Sequence, residues 1–276
     1  LKQRNPSLKW LADFRDPWSE WDLLDTLSLT AWARKKHQRL EKKVLQAADE
    51  VITIASYHQK RLELLGGRPV HVITNGFDPE DFVSIVHQRT DKFTLRHVGV
   101  VDELRDPWPI LEACRQLALE DEVFHQKVLV EFIGNVNSRF QERVLNDEVL
   151  KGFTSFVPHL PHREVLQRYG TTDVQLLVLA HTSIAPGNLP GKFFEYLASG
   201  NFILGVGPEE GDASHVLKMV GHGVVIDRGK ISAVKKELNR LFQLWRDEKV
   251  LPSDAPDQFS RKVLTSQLVH LMNIPA

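Results

Sequence analysis

The chain has 276 residues, 42% hydrophobic and 26% charged, enough apolar material for one large or two small globular domains. Its 35 basic and 36 acidic residues leave a net charge of -1, so no bulk attraction to nucleic acid is expected. A single cysteine, Cys114, excludes an intrachain disulfide framework and fits a reducing compartment. The helical periodicity of its neighbours, ILEACRQLALE, makes it a buried structural thiol rather than a nucleophile. No apolar run reaches membrane-spanning length, and the first residues lack the apolar core of a signal peptide. A cytoplasmic protein is expected, with peripheral contact to the inner face of a membrane left open.

Taken in chain order, LKWLADFRD (8–16) is an apolar strand ending in a charged loop. A long helical pattern from about Thr30 to Ala48 precedes a strand at 50–55. A second helix starts at Ser56, a candidate N-cap, and stops near Gly66 and Gly67. A strand at 69–74 breaks at Asn75-Gly76, a turn signal, and a linker runs to about Gln88. From Phe93 the pattern restarts. Strands at FTLRHVGV, VLVEFIGN, TSFVPHL, VQLLVLA, FILGVG and GVVI alternate with helices at 107–119, 163–169, 190–199 and 211–220. Such alternation predicts a parallel sheet covered on both faces. Helices at 231–244 and 258–272 close the chain.

The segment PGKFFEYLASG (190–200) carries the clearest chemistry. Gly191 lets a ligand approach the backbone, and a helix start offers unpaired N–H groups and a positive dipole end to an anion. Lys192 and Glu195, three residues apart, share a helix face. The lysine can meet a phosphate, and the carboxylate can accept from two sugar hydroxyls. The competing reading is an ordinary amphipathic helix with a surface Lys–Glu pair.

This block is similar to the nucleotide-sugar site of GT-B glycosyltransferases of the retaining family 4 type (glycosyl transferases group 1). DFRDPW (13–18), VITNGFDPEDF (72–82) and HVGVVDELRDPWPILEA (97–113) follow in that family's order, so the resemblance spans nearly the whole chain. It implies a GT-B-like α/β fold of two Rossmann-type units. A partial N-terminal, acceptor-side domain covers 1–88 and a complete nucleotide-sugar-binding domain 89–250. The last segment, 251–276, crosses back onto the N-terminal domain. The family's N-terminal domain begins well before a DFRD-type loop, so the chain is expected to be a glycosyltransferase fragment.

The resemblance also implies roles. Gly99 admits phosphate, and Arg105 and Lys192 stabilise the leaving diphosphate; the family's further basic position is Val100 here. Glu195 corresponds to the ribose-binding glutamate. The glutamate that would contact the transferred sugar falls at Gly187, which leaves the backbone of Gly187, Asn188 and Leu189 for donor recognition. Val157 and His159 resemble the base-reading segment. Asp13, Arg15 and Asp16, at a strand's end, would face sugar and acceptor. Trp18, Trp21 and Trp32 are candidates for an acceptor surface or for the core.

No Asp-x-Asp occurs, and His159 and His162 have no third ligand near them in sequence, so no metal site and no cofactor beyond the nucleotide diphosphate sugar are expected. The expected partners are that donor and a glycan or lipid-linked acceptor. Three other readings remain. One is a nucleotide-binding remnant without activity, and one is a nucleotide-sugar epimerase. The third, a dehydrogenase, rests on Gly205, Gly207 and Gly211, whose spacing is wrong for a dinucleotide fingerprint.

Overall fold

The computed structural model describes residues 2, 4–21, 24, 27–249 and 254–272. They form two parallel sheets. The first has three strands in the order β1 (Leu11–Phe14), β2 (Glu50–Thr53) and β3 (His71–Val72). Between β1 and β2 runs α1 (Ala31–Ala47), started by Thr30, whose side chain accepts from the Ala33 N–H. Between β2 and β3 runs α2 (Ser56–Gly66), stopped by Gly67 in the left-handed region. Ser56 is not the cap of α2 as expected: it is already the first helical residue, and Ala55 before it makes no side-chain cap bond. The cap comes from afar, because Asp212 accepts from the Tyr57 N–H at 2.9 Å.

The second sheet has six strands: β4 (Phe93–Val98), β5 (Val128–Ile133), β6 (Thr154–Val157), β7 (Val174–Val178), β8 (Phe202–Val206) and β9 (Gly223–Ile226). Their spatial order is β6-β5-β4-β7-β8-β9, every pair parallel. The central strands read as continuous apolar runs because helices cover both faces. On one face α3 (Trp108–Glu120), α4 (Glu122–Lys127), α5 (Ser138–Leu145) and α9 (Ile231–Arg246) enclose a core that includes Phe93, Phe124, Phe242 and Trp245. On the other, α6 (His162–Tyr169), α7 (Gly191–Ser199) and α8 (Asp212–Val220) bury Phe193, Phe194, Tyr196 and Leu197. Neither α4 nor α5 was expected; each is short, and each starts on a polar cap, Asp121 and Asn137.

The last helix, α10 (Arg261–Leu271), lies beside the first sheet. A parallel bridge joins Phe77 to Ser260, and Lys9 donates to the carbonyl of Met272 at 3.0 Å. Strand order reverses between β4 and β7. In open α/β sheets ligands bind outside the carboxyl ends of the strands at such a switch point.

Candidate functional site

The loop leaving β4 begins at Gly99, whose φ of 120° only glycine adopts without strain. Beside it Gly134, leaving β5, has φ 125°; a Cβ there would lie 2.7 Å from the Gly99 carbonyl oxygen. These two glycine turns let the backbones pass closely at the sheet's end. Above them starts α7. The Tyr196 hydroxyl accepts from the Val98 N–H at 2.8 Å and pins the helix to the end of β4.

Lys192, half-buried, extends over Gly99. Its Nζ donates to the Val98 carbonyl at 2.8 Å and meets His97 Nε2 at 3.1 Å. His97 is fully buried, and desolvation, with repulsion from Lys192, holds its imidazole down at about 3. The ring is therefore neutral. Its Nδ1–H donates to the Leu176 carbonyl at 2.9 Å, which leaves Nε2 as the acceptor for the lysine. Desolvation, then repulsion from Arg105, pushes the Lys192 ammonium down to about 7, against the pull of Asp102. Arg105 is held by Asp102 at 2.7 Å. Lys192 over Gly99 and Arg105 in the loop that follows thus put two basic side chains at the switch point, close enough for the charge of Arg105 to act on Lys192, an arrangement suited to an anion.

Glu195, one turn along α7, turns toward α6 rather than toward Lys192. Its carboxylate accepts from the Tyr169 hydroxyl at 3.0 Å and faces His162 Nε2 at 3.2 Å. His162 opens α6 just after the loop of Val157 and the exposed His159, so the segment expected to read a base and the glutamate expected to hold ribose are brought together. His162 is here the partner of a carboxylate. Among the described residues no group of three or more His, Cys, Asp or Glu is arranged to hold a metal ion.

The opposite wall comes from the first sheet. Arg15 donates to the Asn75 side-chain oxygen at 3.0 Å, and Asn75 donates to the Leu189 carbonyl at 3.3 Å, a chain of contacts from the DFRD loop to the loop before α7. Arg15 also faces Asp13 at 3.6 Å. A cleft of 280 Å³ lies between the two walls, with Arg15, Asp16, Trp21, His58 and Asn75 on one side and Arg105, Gly187, Asn188 and Leu189 on the other. Gly191 is exposed, with open space where a side chain would stand. Gly187 is the reverse: a Cβ there would lie 2.6 Å from His58 Nε2 and 3.0 Å from the Tyr57 ring.

Of the aromatic candidates, Trp21 reaches the cleft. Trp18 is tied to His37 through its indole nitrogen at 3.0 Å, and Trp32 stands 70% exposed on α1. His58, His97, Asn75 and Tyr169 were not singled out from the sequence. Asn75 carried only a turn signal, and no local pattern marks the other three, whose roles arise from contacts between distant segments.

No protein-family model and no curated protein sequence matches the chain. Solved structures do. Sucrose-phosphate synthase from Thermosynechococcus elongatus superposes with a TM-score of 0.71 at 14% identity, over 98% of this chain and 69% of that one. HepE from Anabaena, in complex with UDP-glucose, gives 0.68 at 15% identity over 95% and 71%. WaaG, a glycosyltransferase involved in lipopolysaccharide biosynthesis, gives 0.67 at 12% identity over 98% and 79%. At these identities the likeness establishes the architecture, and it agrees with what the sequence motifs imply: the chain has the GT-B fold of such glycosyltransferases.

Proposed function

We propose that the chain is a glycosyltransferase that moves a hexose-type sugar from a nucleotide diphosphate sugar to a glycan or lipid-linked glycan acceptor. The observation that carries this reading is the pair of Lys192, over Gly99, and Arg105, in the loop that follows, with Glu195 one helical turn further on. Breaking the bond between the anomeric carbon and the diphosphate moves negative charge onto the phosphate oxygens. Cations already in place there stabilise that charge as it develops. Lys192 is aimed by His97 and Val98, and Arg105 by Asp102; the first N–H groups of α7 add a positive dipole end. Glu195 would accept from ribose hydroxyls, exchanging Tyr169 or His162 for the ligand. Val157 and His159 would face the base. Asp13, Arg15 and Asp16 would face sugar and acceptor.

Two cations at the leaving group support a metal-independent reaction without a further cofactor. Retention of configuration is part of the proposal through the motif resemblance. The division into 1–88, 89–250 and 251–276 is the domain assignment we propose, and the presence of two separate sheets supports it. Peripheral contact with an anionic membrane is supported by α1, which carries Arg34, Lys35, Lys36, Arg39, Lys42 and Lys43 beside the exposed Trp32.

Calorimetric titration with UDP, GDP and ADP tests the donor site. The expected result is micromolar-range binding of at least one, weakened in Glu195→Ala. No binding, or binding unchanged in that variant, would overturn the assignment. One observation favours a second reading, a binding protein without turnover. Among the described residues β1 pairs only with β2, and an apolar groove at its start is lined by Leu8, Trp10, Leu11 and Met272 with Lys2 and Lys9. Nucleotide binding without sugar transfer to any acceptor in a glycan panel would select it.

A further inference from the structure

Position 58 holds a side chain that no role above uses. His58, the third residue of α2, is 3% exposed, yet its Nδ1 is buried without a hydrogen-bond partner. A buried polar group without a partner is costly, so such groups are rare unless a ligand or water completes them. The ring packs edge-on against Tyr57, with centroids 5.5 Å apart. It lines the cleft opposite Arg105 and Asn188 and presses on Gly187, where it fills the space a side chain at that position would take. Burial outweighs the pull of Asp212, Asp16 and Glu20 and holds its pKa below the ordinary histidine value, so the ring is neutral at pH 7.

A neutral imidazole presents one N–H donor and one bare nitrogen acceptor. A hydroxyl, which gives and takes a hydrogen bond, can meet either nitrogen in either tautomer, whereas a phosphate, which only accepts, can meet only the N–H. The anion-binding groups, Lys192 and Arg105, belong to the second sheet's wall, whereas His58 comes from the first. A ligand with its diphosphate on Lys192 and its neutral end reaching across the cleft would place hydroxyls against the ring. Resting on the donor-site reading above, we propose that His58 reads a hydroxyl of the transferred sugar, supplying from α2 the polar contact that Gly187 cannot.

The test compares each nucleoside diphosphate with its glucose conjugate, UDP with UDP-glucose and likewise for GDP and ADP, on wild type, His58→Ala and His58→Gln. Thermal unfolding of each variant is followed alongside. The expected result is unchanged nucleoside diphosphate affinity in both variants. The nucleotide sugar should bind His58→Ala about tenfold or more weaker than wild type, a loss typical of an unmade hydrogen bond in a closed site, with partial recovery in His58→Gln. Equal loss for diphosphate and nucleotide sugar would mean that His58 only braces the two walls and would overturn the proposal. So would nucleotide-sugar affinity that is unchanged in His58→Ala. Absence of any nucleotide binding by wild type would instead remove the donor-site reading itself, a separate outcome.

Discussion

Lys192 carries the sharpest residue-level prediction because its charge is conditional. With its ammonium pushed down to about 7, the free protein holds it charged below that pH and loses the charge as pH rises through it. A bound diphosphate would raise the pKa again, so binding above pH 7 takes up a proton. The affinity for a nucleotide sugar, whose diphosphate has no group titrating in that range, should therefore fall between pH 6.5 and 8.5. Calorimetry in buffers of different ionisation enthalpy would detect the proton uptake. Lys192→Arg should abolish the pH dependence, and Lys192→Ala should weaken binding by about 10–100-fold, the worth of a charge-assisted hydrogen bond. The folded-state pKa lies below that of the unfolded chain, so the unfolded state holds more protons between about 7 and the ordinary lysine value. The lysine's penalty on stability is complete below pH 7 and fades as pH rises above it.

At the scale of elements, the second sheet depends on polar groups in its middle as well as on its apolar strands. Arg96 of β4 is 3% exposed and donates to Glu131 of β5 at 2.6 Å and to the carbonyl of Arg168 at the end of α6. Burial lowers the arginine pKa, while Glu131 counteracts that shift. Removing one partner strands the other charge: Glu131→Ala should cost about 3–5 kcal/mol in urea unfolding. The double variant Arg96→Met, Glu131→Leu should cost less than the sum of its single changes, because it leaves no buried charge. The alternation of strands and helices over 93–226 was legible because periodicity and strand length are local properties. The Arg96–Glu131 pair was not, since nothing in the two strand sequences states that they are neighbours in register.

At the scale of the molecule, the two walls of the cleft are joined by a few polar links, one of them through the buried Asp212. It opens α8 and caps α2 across the cleft through the Tyr57 N–H. Asp212→Ala should lower stability by about 0.5–2 kcal/mol, as loss of a cap does. It should also widen the cleft, raising the radius of gyration measured by small-angle X-ray scattering without ligand. The basic α1 makes a further prediction. Sedimentation with anionic phospholipid vesicles should retain the protein at low salt and release it at high salt. Replacing Lys35, Lys36, Lys42 and Lys43 with alanine should weaken that binding on the order of a hundredfold or more, at about 1 kcal/mol per lysine. By itself the sequence determined the parallel α/β architecture and the helix start at Lys192, because each follows from periodicity or charge within a short window; Gly99 was placed only by the family resemblance, and the structure showed that the strand stops before it in a glycine turn. The tertiary structure alone decided that Asp212 rather than Ser56 caps α2, that His97 aims Lys192, that Glu195 turns to Tyr169 and His162, and that His58 takes the space beside Gly187. Each of those contacts joins segments far apart in sequence, and only packing of the sheets and their loops brings them within reach of one another.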